Sequence, residues 1–388
     1  MSAVPEGGRE SRGPTRVLGL VSVSLFLLLL EAVLRYTHLF GAAVAWSEPD
    51  EVLGHHYAPN APYWSHLEGG YSSGFINSFG WRDIEWNAKK APGVFRVAVV
   101  GDSFVEAFQV ELPATFPKIA QDLLSRRGRR VEMMSFAQSG FTTTEELLVI
   151  RDSVLDFEPD LVALFFFPYN DIRDVSKDLA PDERPFFVED AQGGLVLDTS
   201  FKDSKSFKVR KWINPLKRHS ALVSLLATRI GATQRARART ATSRRDASPG
   251  GYLSLCTAQP DPQYLRAFSL NKRLIVEIAR LVGPSRLLLA TMPSPGWQLE
   301  EEAERRAEDP SFNASCFEDS LGQLAREEGF HHLGLQTVFR KDWQENHRSL
   351  YVSHWNQAGH AVVGAALAQR VEEILQARPS SPLREGPR

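Results

Sequence analysis

Apolar residues along the chain fall into three patterns. The first is a near-continuous run, Val17–Leu30, extended by Glu31-Ala-Val-Leu34 before Arg35. The second is a set of short β-branched or apolar blocks, each closed by a polar or glycine-bearing loop. The third is a helical stripe at intervals of three and four residues. Counted to Leu34, the first run is 18 residues, the lower end of a membrane span. Its lack of polar alternation argues against the amphipathic helix of a soluble core.

The short blocks predict strands at Val97–Val100, Val131–Phe136, Leu161–Phe167, Ser285–Thr291 and His331–Leu335. Between them the 3.6-residue pattern predicts helices over Phe116–Arg126, from Thr144-Glu145 through Val154, and over Leu270–Leu281, Phe317–Glu328 and Gln357–Leu375. The first has Phe116, Ile119, Leu123 and Leu124 on one face, with Thr115 as a cap. The last has Val363, Leu367, Val371 and Ile374 as its stripe. Strands alternating with helices in this way predict a parallel sheet flanked by helices. Residues 46–94, rich in Trp, Tyr, His, Pro and Gly, read as an irregular lead-in packed on the main domain. Residues 172–250 are poorly patterned apart from a helical Ala221–Ile230. The arginine-rich stretch 233–251 reads as a disordered basic loop, and residues 1–16 and 378–388 as disordered tails.

Composition changes this picture little. The chain has 388 residues, 43% hydrophobic and 24% charged, with a formal net charge of −2, an ordinary globular balance with no nucleic-acid signature. Charge placement says more. Arg9, Arg12 and Arg16 precede the apolar run, and after Arg35 no Lys or Arg occurs until Arg82. This bias makes residues 17–35 an anchor with the N-terminus in the cytoplasm and the body outside. The alternative is a signal peptide cleaved after Ala43-Val44-Ala45. The two cysteines, Cys256 and Cys316, match no metal motif, and sequence leaves open whether they pair.

Chemistry gathers at the ends of the strands. The first strand ends in Gly101-Asp102-Ser103, the second in Ala137-Gln138-Ser139-Gly140, and the third in Pro168-Tyr169-Asn170-Asp171. Ser353-His354-Trp355-Asn356 precedes the last helix. A serine hydroxyl needs a base to act as a nucleophile, and histidine is the usual one. The oxyanion of a tetrahedral intermediate needs donors, which the N–H groups of Ser103 and Gly140 and the Asn170 amide would supply. His360, one to two turns into the last helix, reads as a packing residue, and His331 and His332 as a partly exposed strand pair.

These blocks resemble the SGNH, or GDSL-type, hydrolase superfamily. Gly101-Asp102-Ser103-Phe104 matches its first block, Ser139-Gly140 the second, Tyr169-Asn170-Asp171 the third, and His354-Trp355-Asn356 with Gly359-His360 the last. The Asn77/Gly80/Arg82 cluster, by itself a turn, resembles the lead-in of membrane-anchored bacterial members. The resemblance covers about residues 75–375. It implies a flavodoxin-like three-layer α/β/α sandwich with a central parallel five-stranded sheet, Ser103 as nucleophile, His354 as base, and no cofactor or metal. The implied activity is hydrolysis or transfer of an ester acyl group, on an acylated glycan, wall polymer or lipid. Trp81, Trp297 and Trp355 fit either sugar stacking or core packing.

The chain departs from the family at one point. The aspartate usually found two or three residues before the base is replaced by Tyr351 and Val352. The expectation is therefore a Ser103–His354 dyad with a main-chain carbonyl on Nδ1, with Asp342 and Glu345 as the candidate acids from elsewhere. An O-acyltransferase, or a non-catalytic carbohydrate-binding or assembly protein on a hydrolase scaffold, are the competing readings.

Overall fold

A computed structural model of the chain describes residues 13–37, 46–180, 183–226, 229, 251–294 and 297–377. The expected tails at 1–12 and 378–388, the basic loop up to residue 250 and the alternative cleavage site at 43–45 lie outside the described residues.

All five expected strands form, at Phe95–Gly101, Val131–Ala137, Leu161–Phe166, Leu287–Thr291 and His331–Gly334. They make one parallel sheet whose spatial order, numbering the strands along the chain, is 2-1-3-4-5. This is the flavodoxin-like doubly wound order. All six residues of Leu161–Phe166 are fully buried, as a central strand covered on both faces requires. Strand alternation sorts the core into two halves. Val97, Val99, Ala163 and Phe165 face the helices Phe116–Arg126, Leu335–Asn346 and Gln357–Ala377. Ala98, Val100, Val162 and Leu164 face Thr143–Asp152, Pro262–Val282 and Cys316–Glu328. Slipping one residue would send each set to the wrong layer.

The lead-in is more regular than its composition suggests. Ser47–Glu48 pairs antiparallel with His56–Tyr57, and Pro62–Ser65 with Ser72–Phe75. Tyr57, Ala58, Ala61, Tyr63, Ile76 and Phe108 form a separate small core beneath it. The poorly patterned middle also holds structure: a hairpin of Phe186–Glu189 and Leu195–Asp198, and a helix Lys205–His219. Residues 221–226 are helical, as expected for the start of Ala221–Ile230. Helices Leu299–Glu308 and Leu335–Asn346 were not expected from periodicity.

Cys256 and Cys316 form a disulfide with Cα atoms 5.2 Å apart, tying the turn Tyr252–Cys256 to the start of Cys316–Glu328. Within the N-terminal helix Gly13–Thr37, the segment Val17–Tyr36 is long and apolar enough to cross a membrane, with a mean hydropathy of 2.6 and none of it buried.

Candidate active site

The site lies at the C-terminal edge of the sheet, at the switch between the first and third strands, where this topology leaves a crevice. Gly101 ends the first strand where a Cβ would come within 2.5 Å of Val105 Cγ2. Asp102 caps the short helix Ser103–Glu106, its Oδ1 accepting from Phe104 N at 2.9 Å. That cap sets Ser103 at the first helical position. Phe104 packs against the rings of Phe167, His354 and Trp355, with centroids 4.7, 4.8 and 5.0 Å away.

His354 sits at the tip of a tight turn closed by Val352 N donating to His354 O at 3.1 Å and by a bridge between Tyr351 and Trp355. The rest of its block holds the turn in place. Trp355 is buried, and Asn356 Oδ1 accepts from Gly359 N at 3.0 Å at the start of the last helix. Gly359 approaches so closely that a Cβ would lie 2.2 Å from Leu350 O. His360 is fully buried, accepts from Phe116 N at 3.3 Å, and is held by burial down to about 3. It is a packing residue, as expected. His331 and His332 are both half-buried, the partly exposed strand pair expected; His332 Nε2 lies 2.9 Å from Thr291 Oγ1, and burial holds its imidazole down to about 4.

Ser103 Oγ lies 2.9 Å from His354 Nε2. On the other side of the ring, His354 Nδ1 lies 2.6 Å from Glu68 Oε1. An ionised carboxylate only accepts, so Nδ1 carries the proton and Nε2 is left to accept from the serine. The expected main-chain oxygen on Nδ1 is wrong: a carboxylate from the lead-in occupies that place. Glu68 Oε2 also accepts from His354 N at 2.8 Å and Ser353 N at 3.2 Å, and the Ser353 hydroxyl donates to Oε1. Burial raises the Glu68 carboxyl, but these hydrogen bonds outweigh it and hold it down to about 2. The two acids named from sequence are elsewhere: Asp342 pairs with Arg348 at 2.6 Å, and Glu345 is exposed.

Glu68 is placed by the loop of the hairpin Pro62–Ser65/Ser72–Phe75, in the left-handed region at φ 56°. Two contacts dock that loop behind the helix Ser103–Glu106. Gly70 lies where a Cβ would be 1.9 Å from Gln109 O, and Ser72 Oγ donates to Phe108 O at 2.6 Å. Arg82, in the cluster that reads as a turn, is buried and clamps the same stretch. It donates to Glu106 O at 2.7 Å, Ala107 O at 3.0 Å and Val110 O at 2.7 Å, with Tyr63 and Phe108 rings beneath its guanidinium.

The second and third blocks bring Gly140 and Asn170 to the same edge. Gly140 has φ 85°, a conformation only glycine adopts without strain. Among the described residues, none accepts from the main-chain N–H of Ser103 or Gly140. Asn170 Nδ2 donates to Asp102 Oδ2 at 2.8 Å and, more weakly, to Phe141 O at 3.3 Å. Ser139 donates its hydroxyl to Glu106, a fully buried acid three residues after Ser103. Burial pushes Glu106 up to about 7, against hydrogen bonds from Ser139 and Tyr57. Deeper still, burial and the charges of Asp102 and Glu145 raise Glu146 well above the usual carboxylate range.

Trp81, Trp297 and Trp355 are all buried, so core packing is their role. A depression of about 300 Å³ opens beside Glu68, lined by Tyr71, Glu111, Val352, Asn356 and Gln357. Tyr71 is half exposed there and Val352 more so. The described residues include no cluster of His, Cys, Asp and Glu able to hold a metal ion.

Sequence reading missed Glu68 and Glu106. The only local signal for the first was a glutamate before a Gly-Gly pair, Glu68-Gly69-Gly70, in a segment without periodicity. Glu106 was visible as a charge in an otherwise apolar Phe104–Phe108.

No family model and none of the curated proteins matches the chain. Among solved structures, it is similar to the acetyl xylan esterase AlAXEase, at TM-score 0.40 and 13% identity over 71% of this chain and 100% of that one. It is similar to a lipase/acylhydrolase from Enterococcus faecalis, at 0.37 and 12% over 74% and 100%. It is also similar to TesA, at 0.38 and 12% over 72% and 99%. The sheet order agrees with the expected flavodoxin-like, five-stranded parallel architecture. The chemistry rests on the geometry of the site itself.

Proposed function

We propose that the protein is a membrane-anchored serine ester hydrolase with its site outside the cytoplasm, working through Ser103, His354 and Glu68. The observation that carries this reading is the unbroken line from Ser103 Oγ through the imidazole to Glu68, with contacts of 2.9 and 2.6 Å. In the first step Ser103 Oγ bonds to the ester carbonyl carbon as its proton passes to His354 Nε2. Glu68 stabilises the imidazolium. The carbonyl electrons move onto oxygen, where the N–H groups of Ser103 and Gly140 and the Asn170 hydrogen now shared with Phe141 O receive them. His354 then returns the proton to the leaving alkoxide as the ester C–O bond breaks. Water repeats the sequence on the acyl-enzyme and frees Ser103.

Two observations support the compartment. The span Val17–Tyr36 follows a basic N-terminal segment, and the disulfide Cys256–Cys316 belongs to an oxidising environment. The substrate favoured is an acylated glycan over a lipid ester. The depression beside Glu68 is open, with a mixed polar and apolar lining; half-exposed Tyr71 offers a ring for a sugar face, and Glu111, Asn356 and Gln357 offer hydrogen-bonding groups beside it. A fluorophosphonate probe on the full chain tests the reading. It should label wild type and fail on Ser103→Ala, and undiminished labelling of that variant moves the chemistry elsewhere. Release of acetate from acetylated oligosaccharides, with and without an added sugar acceptor, separates hydrolysis from acyl transfer.

A further inference from the structure

The helix Lys205–His219 gives one face to the protein, and the apolar side chains of another face are left bare by the described residues. Phe207 and Asn214, seven residues and so two turns apart, are buried. Phe207 packs against Phe201 at 5.3 Å between centroids, and Asn214 Nδ2 donates to Ser47 O at 2.8 Å. Away from them stand Val209, Trp212 and Leu216, at i, i+3 and i+7, with exposures of 52, 82 and 61%. Single exposed apolar residues need no account, but a stripe centred on a bare tryptophan does.

Charge and position say what covers it. The helix carries six Lys and Arg and no Asp or Glu. At 100° per residue, Lys205 and Lys208 project within about 40° of Trp212. Two copies joined by this face would bring like charges together, whereas lipid phosphates would neutralise them. The helix also ends at the membrane segment. Arg35 Nη2 donates to His219 O at 2.8 Å. Glu31 accepts from Ser220 Oγ, Ala221 N and Leu222 N at 2.9, 2.7 and 3.0 Å, opening the helical run 221–226, whose Leu226 is exposed. Glu31 and Arg35 lie in the last turns of the apolar span, so the bare stripe begins where the chain leaves it.

We infer that the helix Lys205–His219 lies in the interface of an anionic bilayer beside the anchor. Val209, Trp212 and Leu216 enter the headgroup–acyl boundary, and Lys205 and Lys208 meet lipid phosphates. This rests on reading Val17–Tyr36 as a membrane anchor. It adds a second attachment, which fixes the tilt of the hydrolase domain that the anchor alone leaves free.

The test uses the full chain in vesicles of phosphatidylcholine and phosphatidylglycerol with bromine-labelled acyl chains. Flotation after an alkaline wash reads the anchor, and quenching of tryptophan emission reads the helix. Trp212→Phe should float as wild type does but lose most of the quenched emission, because the anchor carries no other tryptophan. Lys205→Glu with Lys208→Glu should lower the quenching by about twofold or more, as loss of attraction to anionic lipid requires. In Trp212→Cys, a membrane-impermeant maleimide should react about tenfold more slowly than in Val196→Cys, a difference set by interfacial burial. Equal quenching of wild type and Trp212→Phe in floated vesicles overturns the docking face and leaves the anchor standing. Cross-linking of Trp212→Cys between copies in those vesicles also overturns it and assigns the face to a second copy. A chain washed off by alkali overturns the anchor and the docking face with it.

Discussion

The two halves of the candidate site are built differently. Ser103, Gly140 and Asn170 stand at the ends of three neighbouring strands, on a sheet covered by two large core layers. Glu68 hangs from a two-stranded hairpin outside that sheet, over a small core of its own. The first half is positioned by the same residues that make the fold, so its geometry comes with the folded sheet. The second is positioned by a few docking contacts, Gly70 against Gln109 O and Ser72 Oγ on Phe108 O among them. Phe108 belongs to the hairpin's core and lies five residues after Ser103, which couples the halves. Ser103 is therefore placed by the sheet, and Glu68 by an attachment that can be weakened while the sheet stays whole.

The largest effect expected is on the sheet side. Ser103→Ala should cost about 10⁶ in kcat against an activated ester, the scale seen when a triad nucleophile is removed. Thermal unfolding should be unchanged. A residual rate within tenfold of wild type would dissolve the comparison, because the sheet edge would then not hold the nucleophile.

On the hairpin side, Glu68→Gln should cost about 10⁴ in kcat, by turning an amide toward Nδ1 and losing the charge that stabilises the imidazolium. Asp342→Asn and Glu345→Gln should each change kcat less than tenfold. Combining Glu68→Gln with Ser103→Ala should add almost nothing to the serine variant alone, as for residues that act as one unit. A full additive loss would mean that Glu68 acts apart from the serine.

Two smaller changes probe placement. Asn170→Ala should lower kcat by about 10²-fold with KM little altered, as removal of one oxyanion donor does. A raised KM at constant kcat would make Asn170 a substrate-binding group. Gly70→Ala should cost about 10- to 100-fold, because its Cβ displaces the loop that carries Glu68 and misplacement near 1 Å has that effect. Fluorophosphonate labelling of Ser103 should slow but persist. Retained full activity would show that the hairpin tip moves without carrying the acid.

The same contrast explains what the sequence discloses. The strands and the serine, glycine, asparagine and histidine blocks are legible because local pattern produces them, whereas the order of the strands in the sheet was implied only by the family resemblance. Gly101 must be small beneath Val105, and Gly359 must be small beneath Leu350 O. Glu68 is not legible because no local rule ties it to a histidine 286 residues away; the pairing exists only once the hairpin has docked. The usual acid site beside the base is vacated to Val352, which is exposed to solvent. Arg82 was hidden for a related reason, since its three carbonyl partners belong to the end of the helix Ser103–Glu106 and the turn after it. The helix Lys205–His219 carries an apolar stripe on its outer side, so periodicity pointed to no core.

The smallest effect on rate is expected where the halves meet, at Glu106. It sits on the nucleophile helix, accepts from Ser139 in the second block, and is pushed by burial up to about 7. In the unfolded chain it titrates near 4.5. Between those values the folded state binds the proton more tightly, so this group's stabilisation is present in full below about 4.5 and is lost as pH rises to about 7. A displacement of that size corresponds to a loss on the order of 3 kcal/mol across that window. Glu106→Gln keeps a neutral side chain of the same shape and removes the titration. Its Tm should therefore gain on wild type as pH rises from 4.5 to 7 and run parallel to it above, while kcat changes less than tenfold. Glu68 cannot supply the same slope, because its carboxyl is held down to about 2 and its contribution is lost only as pH falls through that region. If the two Tm curves stay parallel from 4.5 to 7, Glu106 does not hold a proton in this range, and the link between the first and second blocks is a fixed hydrogen bond with no pH dependence of its own.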